Sequence, residues 1–299
     1  MSERRAHLDG MAMMMMVVLC AAWGLQQVAI KLALVGVSPM LQAGLRSIGA
    51  TGLLWMWCSW RGIRLFGKDG SLIPGLAAGL LFAGEFCLLF WGLSYTTASR
   101  AVIFLYTAPF VVAAGVHFLV PGEKLNRVQV VGLICAFLGV VTAFGGGLRQ
   151  TTATALVGDA MVLGAALMWG ATTVLIKASR LATIPAGKTL FYQLAASGIV
   201  LPALSWAVGE PGVVAITPLV ALCLLYQTVG IAFLSYLAWF WLITHYPASG
   251  LSAFSFLTPL FGMLAGWALL SEPITWALAA AMLLVAVGIY LVSRPGKRA

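Results

Sequence analysis

From Pro211 to Ser271 the chain carries no Asp, Glu, Lys or Arg. A surface helix in water needs a polar face, so a stretch this long and this free of charge must meet an apolar solvent. It is also too long for a single bilayer crossing. About 20 apolar residues, each rising ~1.5 Å, fill a hydrocarbon core of ~30 Å. His245, Tyr246 and Pro247 near its middle supply a break. The same pattern runs along all 299 residues, of which 62% are apolar and 8% charged, against roughly 25% charged in an average soluble domain. These proportions exclude a water-soluble globule and predict an all-α integral membrane protein.

Ten segments qualify as spans: 11–31, 38–60, 72–95, 101–120, 128–148, 155–176, 189–208, 217–243, 250–270 and 275–292. Arg4 and Arg5 precede the first, as in a signal peptide, but its apolar run of about 20 residues exceeds the roughly 7–15 of a signal core and predicts a retained span. With the amino terminus cytoplasmic, thirteen loop cations fall on that side: Arg4, Arg5, Arg61, Arg64, Lys68, Lys124, Arg127, Lys177, Arg180, Lys188, Arg294, Lys297 and Arg298. Lys31, Arg100 and Arg149 fall on the other, and Arg46 lies inside a span. The positive-inside rule then places both termini in the cytoplasm, in a cell inner membrane. The net charge of +9 is scattered between apolar runs and not clustered on one face, which argues against nucleic acid as a partner. Cys20, Cys58, Cys87, Cys135 and Cys223 are isolated, odd in number and without a CxxC pair, so neither a disulfide framework nor a zinc site is expected.

The chain also resembles itself. Trp23-Gly24-Leu25-Gln26-Gln27-Val28-Ala29-Ile30-Lys31 aligns with Trp169-Gly170-Ala171-Thr172-Thr173-Val174-Leu175-Ile176-Lys177 at an offset of 146, with five of nine positions identical. Trp91, Ala98, Ser99, Phe104 and Pro109 match Trp241, Ala248, Ser249, Phe254 and Pro259 at 150, and Glu123 and Gly139 match Glu272 and Gly288 at 149. Each copy holds five spans, an odd number, so the second enters the membrane from the opposite side. The expectation is two inverted five-helix repeats, 1–150 and 151–299, the arrangement that lets secondary transporters alternate access to a central site.

Ten spans in two halves, the paired Trp-Gly motifs, Arg46 in the second span, and Pro109 followed by Gly122-Glu123-Lys124-Leu125 resemble the drug/metabolite transporter superfamily, in its form with two EamA domains. Leu270-Ser271-Glu272-Pro273-Ile274 is the second copy of the last motif, with Pro273 a departure. The resemblance covers nearly the whole chain. It implies an exporter of small metabolites, with the aromatic-amino-acid exporters the most similar group.

Polar groups inside spans are costly and mark function or pairing. Arg46 and Glu85 lie at one depth, about 12–15 Å below one end of their spans, and their repeat positions hold Tyr192 and Ser235. The pair is expected to interact; a structural lock and a substrate or proton role are both open. Asp159 is expected to be solvated, Lys31 and Lys177 to snorkel from span ends, His117 to be a satisfied interfacial histidine, and Glu123 and Glu272 to accept N–H groups of the helix that follows. Trp55, Trp57, Trp60, Trp206 and Trp276 fit an interfacial belt, whereas Trp23 and Trp169 fall near the midplane. Pro109 and Pro259 are expected to act as hinges that free the carbonyls of Leu105 and Ser255. Gly75/Gly79 and Gly262/Gly266 have the GxxxG spacing of close helix contact.

No phosphate loop, zinc pair, dinucleotide fingerprint or nucleophile elbow occurs, so no nucleotide, cofactor or metal is expected. An intramembrane hydrolase built on Ser252 and His245, a channel, and a lipid-linked-molecule translocase are the alternatives. The primary expectation is a secondary exporter of amino acids with its site between the halves. Trp23, Gln26 and Gln27 share one helix face, as do Trp169, Thr172 and Thr173. With Tyr106 and Ser255 they form the predicted substrate site, an aromatic plate beside polar groups on each side.

Overall fold

The computed structural model describes residues 7–67, 69–96, 98–121, 123–144, 152–270 and 276–293. The described chain is helical: α1 (Gly10–Ala33), α2 (Pro39–Trp60), α3 (Leu72–Tyr95), α4 (Ala98–Leu105), α5 (Ala108–Leu119), α6 (Arg127–Phe144), α7 (Ala153–Ala178), α8 (Ala186–Ala207), α9 (Pro218–Leu225), a π segment (Tyr226–Ser235), α10 (Tyr236–His245), α11 (Ala248–Phe254), α12 (Leu257–Leu270) and α13 (Trp276–Ser293). Five described helical stretches are long and apolar enough to cross a bilayer: Gly10–Ile30, Leu72–Gly92, Ala153–Ala178, Ala186–Ala207 and Pro218–His245. The outer surface is apolar as well; Val18, Leu80 and Leu222 are 62, 61 and 62% exposed. Such a surface suits lipid and not water.

Local chemistry marks the ends of these helices. Pro39 and Pro218 open α2 and α9, where a missing N–H costs nothing. Thr152 and Thr217 cap α7 and α9 by accepting the N–H groups of Ala155 and Val220. α2 and α8 end in one motif. Gly62 and Gly209 adopt φ of +66° and +72°, Ile63 N–H reaches Cys58 O at 2.8 Å, and Glu210 N–H reaches Ser205 O at 3.0 Å. These six-to-one bonds need a left-handed residue, which glycine supplies without strain.

Two of the expected spans are broken. The segment at 101–120 breaks at Tyr106 and Thr107, between α4 and α5, and that at 250–270 breaks at Ser255 and Phe256, between α11 and α12. Each break lies just before its proline, and tight turns bridge it: Phe110 N–H to Thr107 O at 3.0 Å, Thr258 N–H to Ser255 O at 3.0 Å. The Ser255 carbonyl is therefore occupied, contrary to the expectation that Pro259 frees it.

Small residues bring helices together. A Cβ at Gly139 would lie 2.9 Å from Ala281 O, and one at Gly288 would lie 2.6 Å from Gly132 O, so α6 and α13 touch backbone to backbone. Gly24 meets Phe261 and Gly262 of α12, while Gly170 meets Val111 and Ala108 of α5. Gly75 and Gly79 receive Tyr192 and Ala196 of α8, in the close contact their spacing predicts.

Candidate substrate cavity

A cavity of about 160 Å³ lies where α1, α3, α7, α8 and α10 converge beside the break between α4 and α5. Trp23, Gln26, Tyr106, Trp169, Thr172 and Thr173 all line it, so residues far apart in sequence but predicted together do share one space. The side chain of Gln27 lies outside the described residues. Ser255 does not line the cavity: it is fully buried, and its hydroxyl turns back to donate to Ser252 O at 2.6 Å.

The aromatic walls are ordered by edge-to-face packing. Trp23 meets Trp239 at 5.6 Å and Tyr106 meets Trp169 at 6.0 Å between ring centroids. The indole N–H of Trp23 donates to Ser235 Oγ at 2.9 Å, and Ser235 is presented by the end of the π segment. The hydroxyls of Thr172 and Thr173 donate to Met168 O and Trp169 O on their own helix, at 2.8 and 3.2 Å. Their oxygens therefore offer only acceptor lone pairs to the cavity.

Glu85 lines the cavity and Arg46 does not. Arg46 is 1% exposed, and its guanidinium stands 4.3 Å from the ring centroid of Phe86, which does line it. Among the described residues no ion pair joins Arg46 to Glu85. Arg46 stays near enough for its charge to act on Glu85, as their shared depth predicts. Its contact is nevertheless a cation–π one with Phe86, because matched depth along two helices does not set the azimuth at which side chains leave them. The Nε and Nη2 atoms of Arg46 are buried without a hydrogen-bond partner.

Missed in the sequence were Phe82, Phe86 and Phe90 on α3, Tyr236 and Trp239 on α10, Gln193 on α8, and Thr258. A signal for the first group existed. Phe82, Glu85, Phe86, Leu89 and Phe90 follow the i, i+3, i+4, i+7, i+8 stripe of one helix face, and all five line the cavity.

Contacts between early and late parts of the chain gather near the two ends of α1. At one end Lys177 Nζ pairs with Glu123 Oε1 at 2.6 Å and donates to Tyr246 O at 2.6 Å. Glu123 Oε2 accepts the N–H of Ala248 at 2.8 Å, and Tyr246 donates to Asp9 Oδ2 at 3.0 Å. Lys177 is thus buried, 3% exposed, and does not snorkel. Glu123 caps α11 and not the helix that follows it; Glu272 lies outside the described residues. Lys188, also buried, reaches Asp69 at 2.8 Å; together with Ser71 it holds the Asp69 carboxyl well below the usual carboxylate range. His117 Nδ1 accepts the N–H of Leu125 at 3.0 Å, a satisfied histidine.

α1, 24 residues long, places the second set of contacts about 36 Å away, at its far end. There Val37 pairs with Val213 in a single β-bridge. Glu210 receives the N–H groups of Met40 and Leu41, each at 3.2 Å, and the Ser205 hydroxyl at 2.6 Å. Burial pushes the Glu210 carboxyl up, but these bonds and Ser38 outweigh it and leave it below its ordinary value. Asp159, expected in solvent, is 4% exposed and accepts the Thr96 hydroxyl at 2.7 Å.

Among the described residues the fold is an all-helical bundle with an apolar exterior and an aromatic-lined cavity, a membrane protein with room for a small ligand. The model of the EamA-like transporter family matches residues 10–145 and again 156–294. The chain belongs to that family. It is 27% identical over 273 residues to the uncharacterized transporter YoaV of Bacillus subtilis strain 168, covering 90% of this chain and 92% of that one. It is 26% identical over 290 residues to a probable amino-acid metabolite efflux pump of Salmonella typhimurium strain LT2, covering 95 and 94%. A solved crystal structure superposes with a TM-score of 0.81 at 20% identity, over 94% of this chain and 98% of that one.

Proposed function

We propose that the chain is a secondary transporter that exports amino acids, aromatic and other apolar ones among them, across the cell inner membrane by alternating access. The observation that carries this is the cavity itself, whose walls come from both halves of the sequence at the depth of the two Trp-Gly motifs. Its aromatic lining suits an apolar side chain, and the amides of Gln26 and Gln193 suit a zwitterionic head. The Salmonella relative's name, a probable amino-acid metabolite efflux pump, favours the same substrate class.

In this reading ten spans form two inverted repeats, 1–150 and 151–299, with both termini cytoplasmic. Paired contacts support it. Gly139 meets Ala281 and Val285, while Gly288 meets Gly132 and Ala136, and each of these pairs is the other displaced by 149 positions. A two-fold relation between the copies generates such reciprocal contacts. The cytoplasmic mouth is then closed by Glu123 and Lys177, the opposite mouth by Val37, Val213 and Glu210, and the breaks before Pro109 and Pro259 are the hinges between states. Uptake of labelled phenylalanine, leucine and lysine into liposomes carrying the purified protein, with and without a pH gradient, tests the proposal. Saturable uptake of the apolar amino acids is the expected result; no uptake of any of the three above protein-free liposomes defeats it.

A further inference from the structure

We propose that the Glu85 carboxylate is the ammonium-binding group of the cavity, so that the site selects a protonated amine joined to an aromatic or apolar body. This rests on reading the cavity as the substrate site. The polar inventory of the lining leads to it. Trp23 has spent its N–H on Ser235, and Thr172 and Thr173 have spent their hydroxyl protons on their own helix, so these groups have no proton left for a ligand. The remaining donors, among them the amides of Gln26 and Gln193 and the hydroxyls of Tyr106 and Tyr236, are neutral. Glu85 is the one Asp, Glu, Lys or Arg on the described lining, so the one group there whose ionised form can pair with a cation.

Among the described residues Glu85 makes no hydrogen bond and no ion pair. Arg46, the nearby cation, is held against Phe86 outside the lining and offers attraction without contact. A carboxylate facing an apolar cavity inside a membrane protein is costly without a partner, and a ligand cation supplies one. The same cation gains from the ring faces around it, since Phe82, Phe86, Trp169 and Trp239 share the cavity with Glu85. The charge is one-sided. The corresponding position in the second half is Ser235, neutral and already bonded to Trp23, so the ammonium is directed to the α3 wall and the rest of the ligand to the aromatic space.

Binding of three probes to the full chain in lipid nanodiscs, followed by calorimetry, tests this: phenylethylamine has an ammonium and no carboxylate, phenylalanine has both, and 3-phenylpropanoate has only the carboxylate. The wild-type protein is expected to bind the first two and to bind 3-phenylpropanoate at least about tenfold more weakly. Glu85→Gln should weaken phenylethylamine about ten- to hundredfold, the range of a lost charge-assisted hydrogen bond, and leave 3-phenylpropanoate unchanged or improved. Glu85→Asp should retain part of the amine affinity. Should Glu85→Gln fail to fold, Glu85→Asp and the probe series on the wild-type chain decide. Equal wild-type affinity for amine and carboxylate probes, or amine affinity untouched in a folded Glu85→Gln, overturns the assignment while leaving transport standing. Failure of all three probes to bind the wild-type protein removes the substrate-site reading and this one with it.

Discussion

The two aromatic walls of the cavity occupy aligned positions in the two halves of the chain, yet they are built differently. On the wall of α1 and α10, Trp23 is tied: its N–H bonds Ser235 and its ring packs on Trp239. On the wall of α7 and α3, Trp169 packs on Tyr106, makes no hydrogen bond through its indole among the described residues, and shares the cavity with Glu85, which takes the place of Ser235. The helix contacts beneath the walls did not diverge in this way. Gly24 and Gly170 each admit a neighbouring helix at close range, as do Gly139 and Gly288. Backbone approach depends on the absence of a side chain, and any addition there meets atoms within 3 Å. Side chains that border empty space are free to change, and there the two copies acquired different chemistry.

The largest effect should come from the inter-half clamp. Lys177→Met leaves Glu123 buried without its partner and should destabilise the protein by about 3–5 kcal/mol. Adding Glu123→Gln should cost less than the sum of the two single changes. Thermal melting of the three variants checks this, and strict additivity would mean the two groups act separately. Gly139→Val and Gly288→Val come next, at about 1–3 kcal/mol of overpacking each. Their losses should match, because the contacts are reciprocal; a large inequality in melting temperature would break the equivalence of the halves.

Trp23→Phe and Trp169→Phe then separate the two walls. The first loses a hydrogen bond and should cost about 1 kcal/mol of stability. The second loses none and should melt like the wild type while changing the affinity for bulky substrates. The smallest effect belongs to Glu210→Gln, which weakens the cap of α2 by about 1 kcal/mol at neutral pH. Because Glu210 is held below its ordinary value near 4.5, its contribution is fully present above that pH and is lost as pH falls through the lower folded value. The difference in melting temperature between wild type and Glu210→Gln should therefore shrink from pH 7 to pH 4.

Much of this was legible before any coordinates. The charge-free run from 211 to 271 required a membrane, and the paired Trp-Gly motifs located the cavity, since six of the predicted residues line it. Ser255 was misplaced because a hydroxyl inside a helix has a nearby carbonyl, here Ser252 O, to satisfy it, and no spacing rule shows which way it turns. Lys177 and Asp159 were misplaced for a related reason. A residue near a span end reads as solvated until a distant loop covers it, as Tyr246 and Glu123 cover Lys177.

Composition, periodicity and self-similarity are properties of the chain itself, so the sequence alone determined the solvent, the helices and the face of α1 and α7 that meets the cavity. Only the tertiary structure decided that Arg46 turns to Phe86 and leaves Glu85 open to the cavity, and that Glu123 reaches across to Lys177 and Ala248. Such contacts depend on the rotation and offset of helices that are remote in sequence, and those are set by the packing of every neighbour at once.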